Sequence, residues 1–461
     1  MLVKYCRVRY VWVFAFCYTV ILSLLFQKFL LPLLPSMHAG FGLLKNDAYF
    51  YHQSAQLLAN IIHADGWSTW SAWSARTNTS GNVAILAALY AIFTPEPALI
   101  IPVNAFFHAT SAVILLLIGR DLWHGPVGNI AGLIAALLFI IFPSALSWYS
   151  QPLKDSYVIA GVLMILYSWV MVFRSMSLKK GLLTPLALMI VGIFLVAFVK
   201  PYYLKLLLVA SVLILCAIAI IFISMKHLHR FHILAFYLLA SILLIASIAI
   251  IKPFLIPSVS GESYESYVDV GGNNNYVDVG GNKKWSWSHS SWLPDALENN
   301  LMIAAKTRVG MIQFNQKVGA GSLIDEDSAP KSALEIIKYL PRALLIGLFS
   351  PFPDTWLKKP SAARLIAVTE TVLWYIVAPG LLFALYYRRS PALAVLMIFA
   401  GFFLTVFSFV TPNVGTLYRY RYAYEFLLIV VALGGWIQLY FNCYKDQGST
   451  ETEDKNAGSN A

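Results

Sequence analysis

Two acidic residues lie next to long apolar runs, and their carboxylates are candidates for catalysis or metal binding. Asp47 lies in KNDAYFYHQSAQLLA, after the first apolar run, and Asp155 lies in SWYSQPLKDSY, in a short turn between two later runs. Carboxylates that converge over a cleft suit metal binding or activation of a hydroxyl group by a general base. Asp also caps helices, so each residue has a structural alternative. Alternation of the runs across a membrane places both on the same side, which favours a shared functional role.

Basic residues are expected on the same side as the two acids. Arg419 and Arg421 lie in TLYRYRYAYEF, and Lys154 and Lys200 occupy comparable turns. Arg offers a bidentate fork to phosphate, and a cation at this depth suits a lipid-borne phosphate. Lysines at such positions can also extend to lipid headgroups, which is the alternative for Lys200. We predict that these four residues bind the phosphate of a lipid-linked substrate.

Three more side chains complete the predicted site. His52 lies near Asp47 and is a candidate for proton transfer, although a histidine there is more often an interfacial polar residue. Tyr51 and Tyr420 bring aromatic rings next to the charges, which fits contact with a sugar or an acceptor. If a divalent metal is bound, its ligands are Asp47 and Asp155, and no other cofactor is predicted.

The composition excludes a soluble globular protein. Of 461 residues, 59% are hydrophobic and 12% are charged, whereas soluble proteins carry about 25% charged residues. Walker A, GxGxxG, HExxH and GxSxG patterns are absent from the sequence, so ATP-driven transport, hydride transfer and serine hydrolysis have no support. We therefore predict a membrane protein with no nucleic-acid partner.

The apolar runs predict an all-α polytopic membrane protein with about ten transmembrane helices, since a bilayer core needs about 20 apolar residues per span. The predicted spans are 10–27, 98–118, 127–147, 156–173, 182–199, 203–225, 231–251, 365–387, 391–411 and 423–442.

Basic residues set the predicted orientation. Lys4, Arg7 and Arg9 precede the first span, so the N-terminus is expected in the cytoplasm. With alternation, the short inner loops then carry eight basic residues and the short outer turns carry five. The C-terminus is then also cytoplasmic, and both acids face outward.

The predicted organisation has four parts. Residues 1–251 form a transmembrane module, 252–364 a large outer loop, 365–444 the last spans, and 445–461 a disordered cytoplasmic tail. The first outer loop, 28–97, should hold interfacial helices near Asp47 and at 83–93. In the large loop, the repeats YVDVGGNNN and YVDVGGNKK predict short strands or turns, followed by an amphipathic helix at 331–339 and a proline-broken interfacial segment at 341–356.

These segments together resemble the GT-C superfamily of membrane glycosyltransferases, which includes protein O-mannosyltransferases and aminoarabinose transferases. The resemblance rests on KNDAYFYHQSAQLLA, PVNAFFHATSAVILLLIGRDL, FPSALSWYSQPLKD and YRYRYAYEF. PRALLIGLFSPFPDTW looks like relatives from exopolysaccharide loci.

The resemblance implies a catalytic acid at Asp47 and a second acidic position at Asp155. It also implies sugar transfer from a polyprenyl-phosphate donor to a glycan, lipid or protein acceptor at the outer face of a bacterial inner membrane. Many members carry paired acids in the first loop, where this chain has Lys45 and Asn46, so metal use stays open.

Two other functions stay open. A polysaccharide polymerase or ligase acting on undecaprenyl-pyrophosphate-linked glycans would also place arginines outside, with Asp47 dispensable. A transporter or flippase for lipid-linked glycans would instead show internal repeats and sites at the membrane midplane.

Overall fold

The structure is a computed structural model that describes residues 7–35, 37–45, 47–75, 80–123, 125–173, 182–224, 231–255, 277–279, 283–358 and 362–458. Almost all regular structure is helical. The α-helices are α1 (Val8–Leu25), α2 (Asp47–Asp65), α3 (Gly81–Ile92), α4 (Ile101–Leu122), α5 (Gly125–Ile141), α6 (Pro143–Tyr149), α7 (Asp155–Met171), α8 (Leu183–Val199), α9 (Tyr203–Ser224), α10 (Phe231–Leu255), α11 (Asp295–Lys317), α12 (Ala333–Phe349), α13 (Ala362–Val377), α14 (Gly380–Tyr387), α15 (Pro391–Val410) and α16 (Val414–Gly458).

The predicted membrane helices form, but about ten spans are not confirmed. Within the described ranges, seven helices are long and apolar enough to cross a bilayer, and α5 with α6 makes an eighth if this pair, bent by 60°, is one span. The runs at α7 and α8 are helices of 17 residues each. At about 1.5 Å per residue they are shorter than a bilayer core of about 30 Å, so ten spans are not confirmed.

Helix α7 lies at the centre of the bundle, because it packs on both α8 and α4. Most of its residues are buried. Its contact with α8 is close, since Gly161 and Gly192 face each other across the two helices. Small residues at such a crossing let two backbones approach without a side chain between them. A rigid α7 fixes the position of Asp155 at its first turn.

Helices form where they were predicted in the segment 28–97. α2 begins at Asp47, and α3 covers most of 83–93. The two helices pack on each other through buried residues such as Ala55, Leu58 and Leu86. They therefore form a small helical layer that holds Asp47 against the bundle.

The described part of the segment 252–364 is more helical than predicted. α11 is a helix of 23 residues that the sequence patterns did not indicate. α12 runs as one helix through Pro341. Within the segment predicted to be broken by prolines, the helix ends at Phe349, before Pro351 and Pro353. Burial of the α12 face that packs on α15 stabilises the helix despite the missing amide hydrogen of Pro341.

Two further segments differ in detail from the prediction. The second repeat supplies β1 (Val277–Val279), which pairs antiparallel with β2 (Lys283–Trp285), while the first repeat at 267–275 lies outside the described residues. α16 continues to Gly458, so the structure has helix where a disordered tail was predicted. The tail contains Glu, Lys and Gln, which are good helix formers.

We predict that Gly119→Ala destabilises the α4–α5 contact. A Cβ atom at Gly119 would lie 2.6 Å from the Cα atom of Gly132, and overpacking of this kind costs about 1–3 kcal/mol. The thermal unfolding midpoint in detergent, followed by tryptophan fluorescence, should fall. Gly401→Ala is the matched control, because nothing lies within 4 Å of its Cβ position. Equal midpoints for the two variants would contradict the packing.

Candidate active site

The buried carboxylate of Asp155 has two cationic neighbours. Lys200 Nζ lies 3.5 Å from Asp155 Oδ1, and Arg419 Nε lies 3.9 Å from Oδ2. Only 5% of the Asp155 side chain and 8% of the Lys200 side chain is exposed. These residues come from the first turn of α7, the end of α8 and the second turn of α16. The three helix ends are thus drawn to one point by opposite charges.

Arg419 also reaches the second predicted acid. Its Nη2 atom donates a hydrogen bond to Asp47 Oδ2 at 3.2 Å. The Asp47 side chain is 53% exposed, in contrast to Asp155. Asp47 can therefore meet a substrate at the surface, whereas Asp155 holds the guanidinium group from below. We call Asp47, Lys154, Asp155, Lys200 and Arg419 the charged cluster.

Lys154 completes the cluster next to Tyr51. Its Nζ atom lies 5.1 Å from the centre of the Tyr51 ring, a cation–π geometry. Burial lowers the pKa of Lys154 to about 8, and the positive charge of Lys200 lowers it as well. The carboxylates of Asp47 and Asp155 act in the opposite direction and raise this pKa. Burial, with help from the same two carboxylates, raises the pKa of Tyr51, so its hydroxyl stays neutral.

Tyrosines line the inner side of the cluster. Lys200 Nζ lies 4.3 Å from the centre of the Tyr420 ring and 5.8 Å from that of Tyr203. A cavity of about 10 Å³ lies beside these rings and Asp155, which is about the size that one water molecule needs. A ligand larger than a water molecule would therefore have to bind outside this cavity, on the exposed side near Asp47.

Arg421 does not join the charged cluster. It donates to the carbonyl oxygen of Ser350 at 2.5 Å, and its Nε atom lies 3.1 Å from Glu425 Oε2. Its side chain is fully buried. Residues two apart on a helix point about 200° from each other, so Arg419 and Arg421 face different neighbours. The expected grouping of Arg421 with Arg419 is therefore wrong, and Arg421 binds the C-terminal end of α12.

His52 also lies apart from the cluster. Its Nδ1 atom is 2.7 Å from the hydroxyl of Tyr90, and its ring contacts Phe41. The residue is 2% exposed and faces α3. Burial lowers the pKa of His52, so the ring is neutral at pH 7. These contacts give His52 a place in the packing of α2 on α3, and they do not bring it to the two acids.

The cluster does not fit a divalent metal. Among the residues that the structure describes, no group of three or more His, Cys, Asp or Glu side chains is arranged to hold an ion. Asp155 already has cations on both of its oxygen atoms. A metal there would be repelled by Arg419 and Lys200.

Sequence patterns missed two features of this region. Tyr203 was not singled out, because it lies at the start of α9, across a short turn from Lys200 at the end of α8. The role of the amide side chains of Gln27, Asn82 and Asn104, which donate hydrogen bonds to the turn before Asp155, was also missed. Buried Asn and Gln residues follow no periodic pattern. Both become visible only from the packing.

Comparison with known proteins gives distant likenesses. No protein-family model and no curated protein matches the sequence. Among solved structures, an archaeal oligosaccharyltransferase, AglB from Archaeoglobus fulgidus, in complex with an inhibitory peptide and a dolichol-phosphate, has a TM-score of 0.48 at 13% identity. An Archaeoglobus fulgidus oligosaccharyltransferase in its apo form has a TM-score of 0.47 at 14% identity.

Each of these likenesses covers 96% of this chain but 52% of the other, so this chain spans about half of their length. Similarities of this size fix neither a family nor an activity.

We predict that Arg421→Gln lowers stability more than Arg419→Gln. Removing one partner of a buried ion pair costs about 3–5 kcal/mol, because Glu425 would be left uncompensated. Arg419 is partly exposed, and Asp155 keeps Lys200 when Arg419 is lost. Thermal unfolding midpoints of the two purified variants test this. A larger loss for Arg419→Gln would contradict the different placement of the two arginines.

Proposed function

We propose that this protein is an integral-membrane glycosyltransferase. It moves a sugar from a polyprenyl-phosphate-linked donor to an acceptor hydroxyl group at the outer face of the membrane. The observation that carries the proposal is the charged cluster, in which an exposed carboxylate and three cations meet at one end of a helical bundle.

The two carboxylates have different tasks in this proposal. Asp155 is buried between Arg419 and Lys200, so it orients these cations and does not take a proton. Asp47 is half exposed and acts as the general base that removes the proton from the acceptor hydroxyl. Tyr51 and Tyr420 offer ring faces to the sugar.

The transfer is a single displacement. The acceptor oxygen forms a bond to the anomeric carbon, while the bond from that carbon to the donor phosphate oxygen breaks. The leaving phosphate keeps the bonding electron pair, and the acceptor proton goes to Asp47. Arg419 and Lys154 stabilise the charge that develops on the phosphate, which is the electrostatic part of catalysis.

Arg419 links donor binding to activation of the base. Without substrate, its guanidinium group holds Asp47 at 3.2 Å, so the carboxylate is engaged and not free to accept a hydrogen bond from an acceptor hydroxyl group. A donor phosphate that pairs with Arg419 competes with Asp47 and releases the carboxylate. The donor should therefore bind before the acceptor becomes reactive.

A polymerase or ligase acting on undecaprenyl-pyrophosphate-linked glycans is the second candidate. It would use the same cations for the pyrophosphate and would not need Asp47 as a base. The half-exposed position of Asp47 beside Arg419 favours the transferase, and the next experiment separates the two functions.

We predict that Asp47→Asn lowers the turnover of sugar transfer by about 10²- to 10⁴-fold, the usual contribution of a general base. The measurement is transfer from a radiolabelled polyprenyl-phosphate sugar in proteoliposomes. Asp65→Asn is the matched control, because Asp65 ends the same helix and should leave transfer unchanged. Wild-type turnover in Asp47→Asn would exclude Asp47 as the base and support the polymerase or ligase.

We also predict that binding of polyprenyl phosphate weakens as the pH rises through about 8, where the buried Lys154 loses its proton. Loss of one charge-assisted hydrogen bond costs about 1.5–3 kcal/mol, which is at least about tenfold in affinity. Titration calorimetry between pH 6 and 10 measures this. In Lys154→Arg the guanidinium stays charged, so the alkaline decrease should vanish. A decrease that persists in this variant would show that another group titrates.

A further inference from the structure

The turn that carries Lys154 and Asp155 is held by buried amide side chains. Asn104 Nδ2 donates to the carbonyl oxygens of Tyr149 at 3.0 Å and Gln151 at 2.8 Å. Gln27 Nε2 donates to Ser150 O at 3.0 Å. Asn82 Nδ2 donates to Pro152 O at 2.9 Å. Four consecutive carbonyl groups thus accept hydrogen bonds from side chains that lie elsewhere in the chain.

These donors come from three separate elements. Gln27 lies in the π-helical turn Phe26–Leu30 that follows α1, Asn82 in the first turn of α3, and Asn104 in the first turn of α4. All three are at most 1% exposed. We call Gln27, Asn82 and Asn104 the amide cage. Burying three amide side chains is costly unless each is bonded, so the cage fixes one geometry of the turn.

Asn104 makes the most bonds in the cage. Besides its two donated hydrogen bonds, its Oδ1 atom accepts one from Ser156 Oγ at 2.7 Å. Ser156 follows Asp155 in the first turn of α7. Asn104 therefore holds the chain on both sides of Lys154 and Asp155.

The same turn is joined to the loop before Asp47. Gln151 Oε1 accepts from Leu44 N at 2.9 Å, and its Nε2 atom donates to Gly42 O at 3.2 Å. Gly42 has a φ of +71°, and a Cβ atom there would collide with the backbone of Gln27. Gln151 thus fixes the turn before Asp155 relative to the loop before Asp47.

We infer that Asn104 is a positioning residue that sets the place of Lys154 and Asp155 beside Arg419 and Asp47. The effect of Asn104 on catalysis rests on the proposed glycosyl transfer. Its effect on the position of Lys154 and Asp155 does not. Asn104 touches no reacting atom and acts through the turn. Misplacement of a reacting group by about 1 Å can cost about 10²-fold in rate.

The test uses Asn104→Asp, which keeps the side-chain shape and the acceptor for Ser156 but loses both donated bonds. Asn129→Asp is the matched control, because its amide also donates to a backbone carbonyl, that of Gly125 at 3.2 Å, at the start of α5. If Asn104→Asp does not fold, Ser156→Ala is the second variant, because it removes the hydrogen bond from Ser156 to Asn104. Its changes in labelling midpoint and kcat should be smaller and in the same direction.

The first measurement needs no substrate. The full chain in nanodiscs is treated with an amine-acylating reagent across a pH series, and labelling of Lys154 is read by peptide mass spectrometry. The wild type should reach half-maximal labelling near pH 8. In Asn104→Asp, and also in Asn104→Leu, which adds no carboxylate near Lys154, the midpoint should move towards the value of about 10.4 for a solvated lysine. The charged and titratable groups around Lys154 are Asp47, Tyr51, Asp155 and Lys200.

The second measurement is the kinetics of sugar transfer per folded molecule. Asn104→Asp should lose about 10²-fold in kcat with little change in the acceptor KM, since the cluster is displaced and the acceptor surface is kept. The control should match the wild type in both measurements. A residue that only stabilises the fold would lower the yield of folded protein and leave kcat and the labelling midpoint unchanged.

The outcomes separate the two proposals. A shifted midpoint with no transfer by the wild type would refute the glycosyltransferase and support the positioning role. Active wild type together with unchanged midpoint and kcat in Asn104→Asp would overturn the positioning role and leave the transferase standing.

Discussion

The buried carboxylate of Asp155 must be compensated by cations, and the arrangement of the site follows from this. Burial of an ionised carboxylate costs roughly several kcal/mol of hydration free energy, as it does for other ions in a protein interior. Lys200 and Arg419 offset that loss, and each comes from a different helix end. The ion pairs therefore bring α7, α8 and α16 together. Arg419, once held there, can also reach the exposed Asp47.

Much of the site follows from residue types and membrane alternation. Asp47, Asp155, Lys154, Lys200 and Arg419 were expected on one side of the membrane, and the structure brings them together. Arg421 was grouped with them wrongly, since a run of charges does not say which side of a helix each one faces. His52 was misplaced for a similar reason, because its position on α2 turns it towards Tyr90.

The fold was predictable where long apolar runs dominate, and less so elsewhere. The predicted spans lie on helices, but 127–147 divides into α5 and α6 and 365–387 into α13 and α14. α7 and α8 are shorter than the seven long apolar helices. α11 mixes polar and apolar residues, and it packs against α12 and α15. The amide cage is beyond sequence patterns, since its three members are separated by long stretches of chain and meet only after folding.

The account stands on a lipid phosphate taking the place of Asp47 on Arg419. Electron cryo-microscopy of the full chain in nanodiscs with a polyprenyl phosphate tests this directly. The account predicts phosphate density between Arg419 and Lys154, with Asp47 released from the guanidinium group and Asp155 unmoved. Phosphate density away from Arg419, or an intact Asp47–Arg419 pair beside bound phosphate, would contradict it.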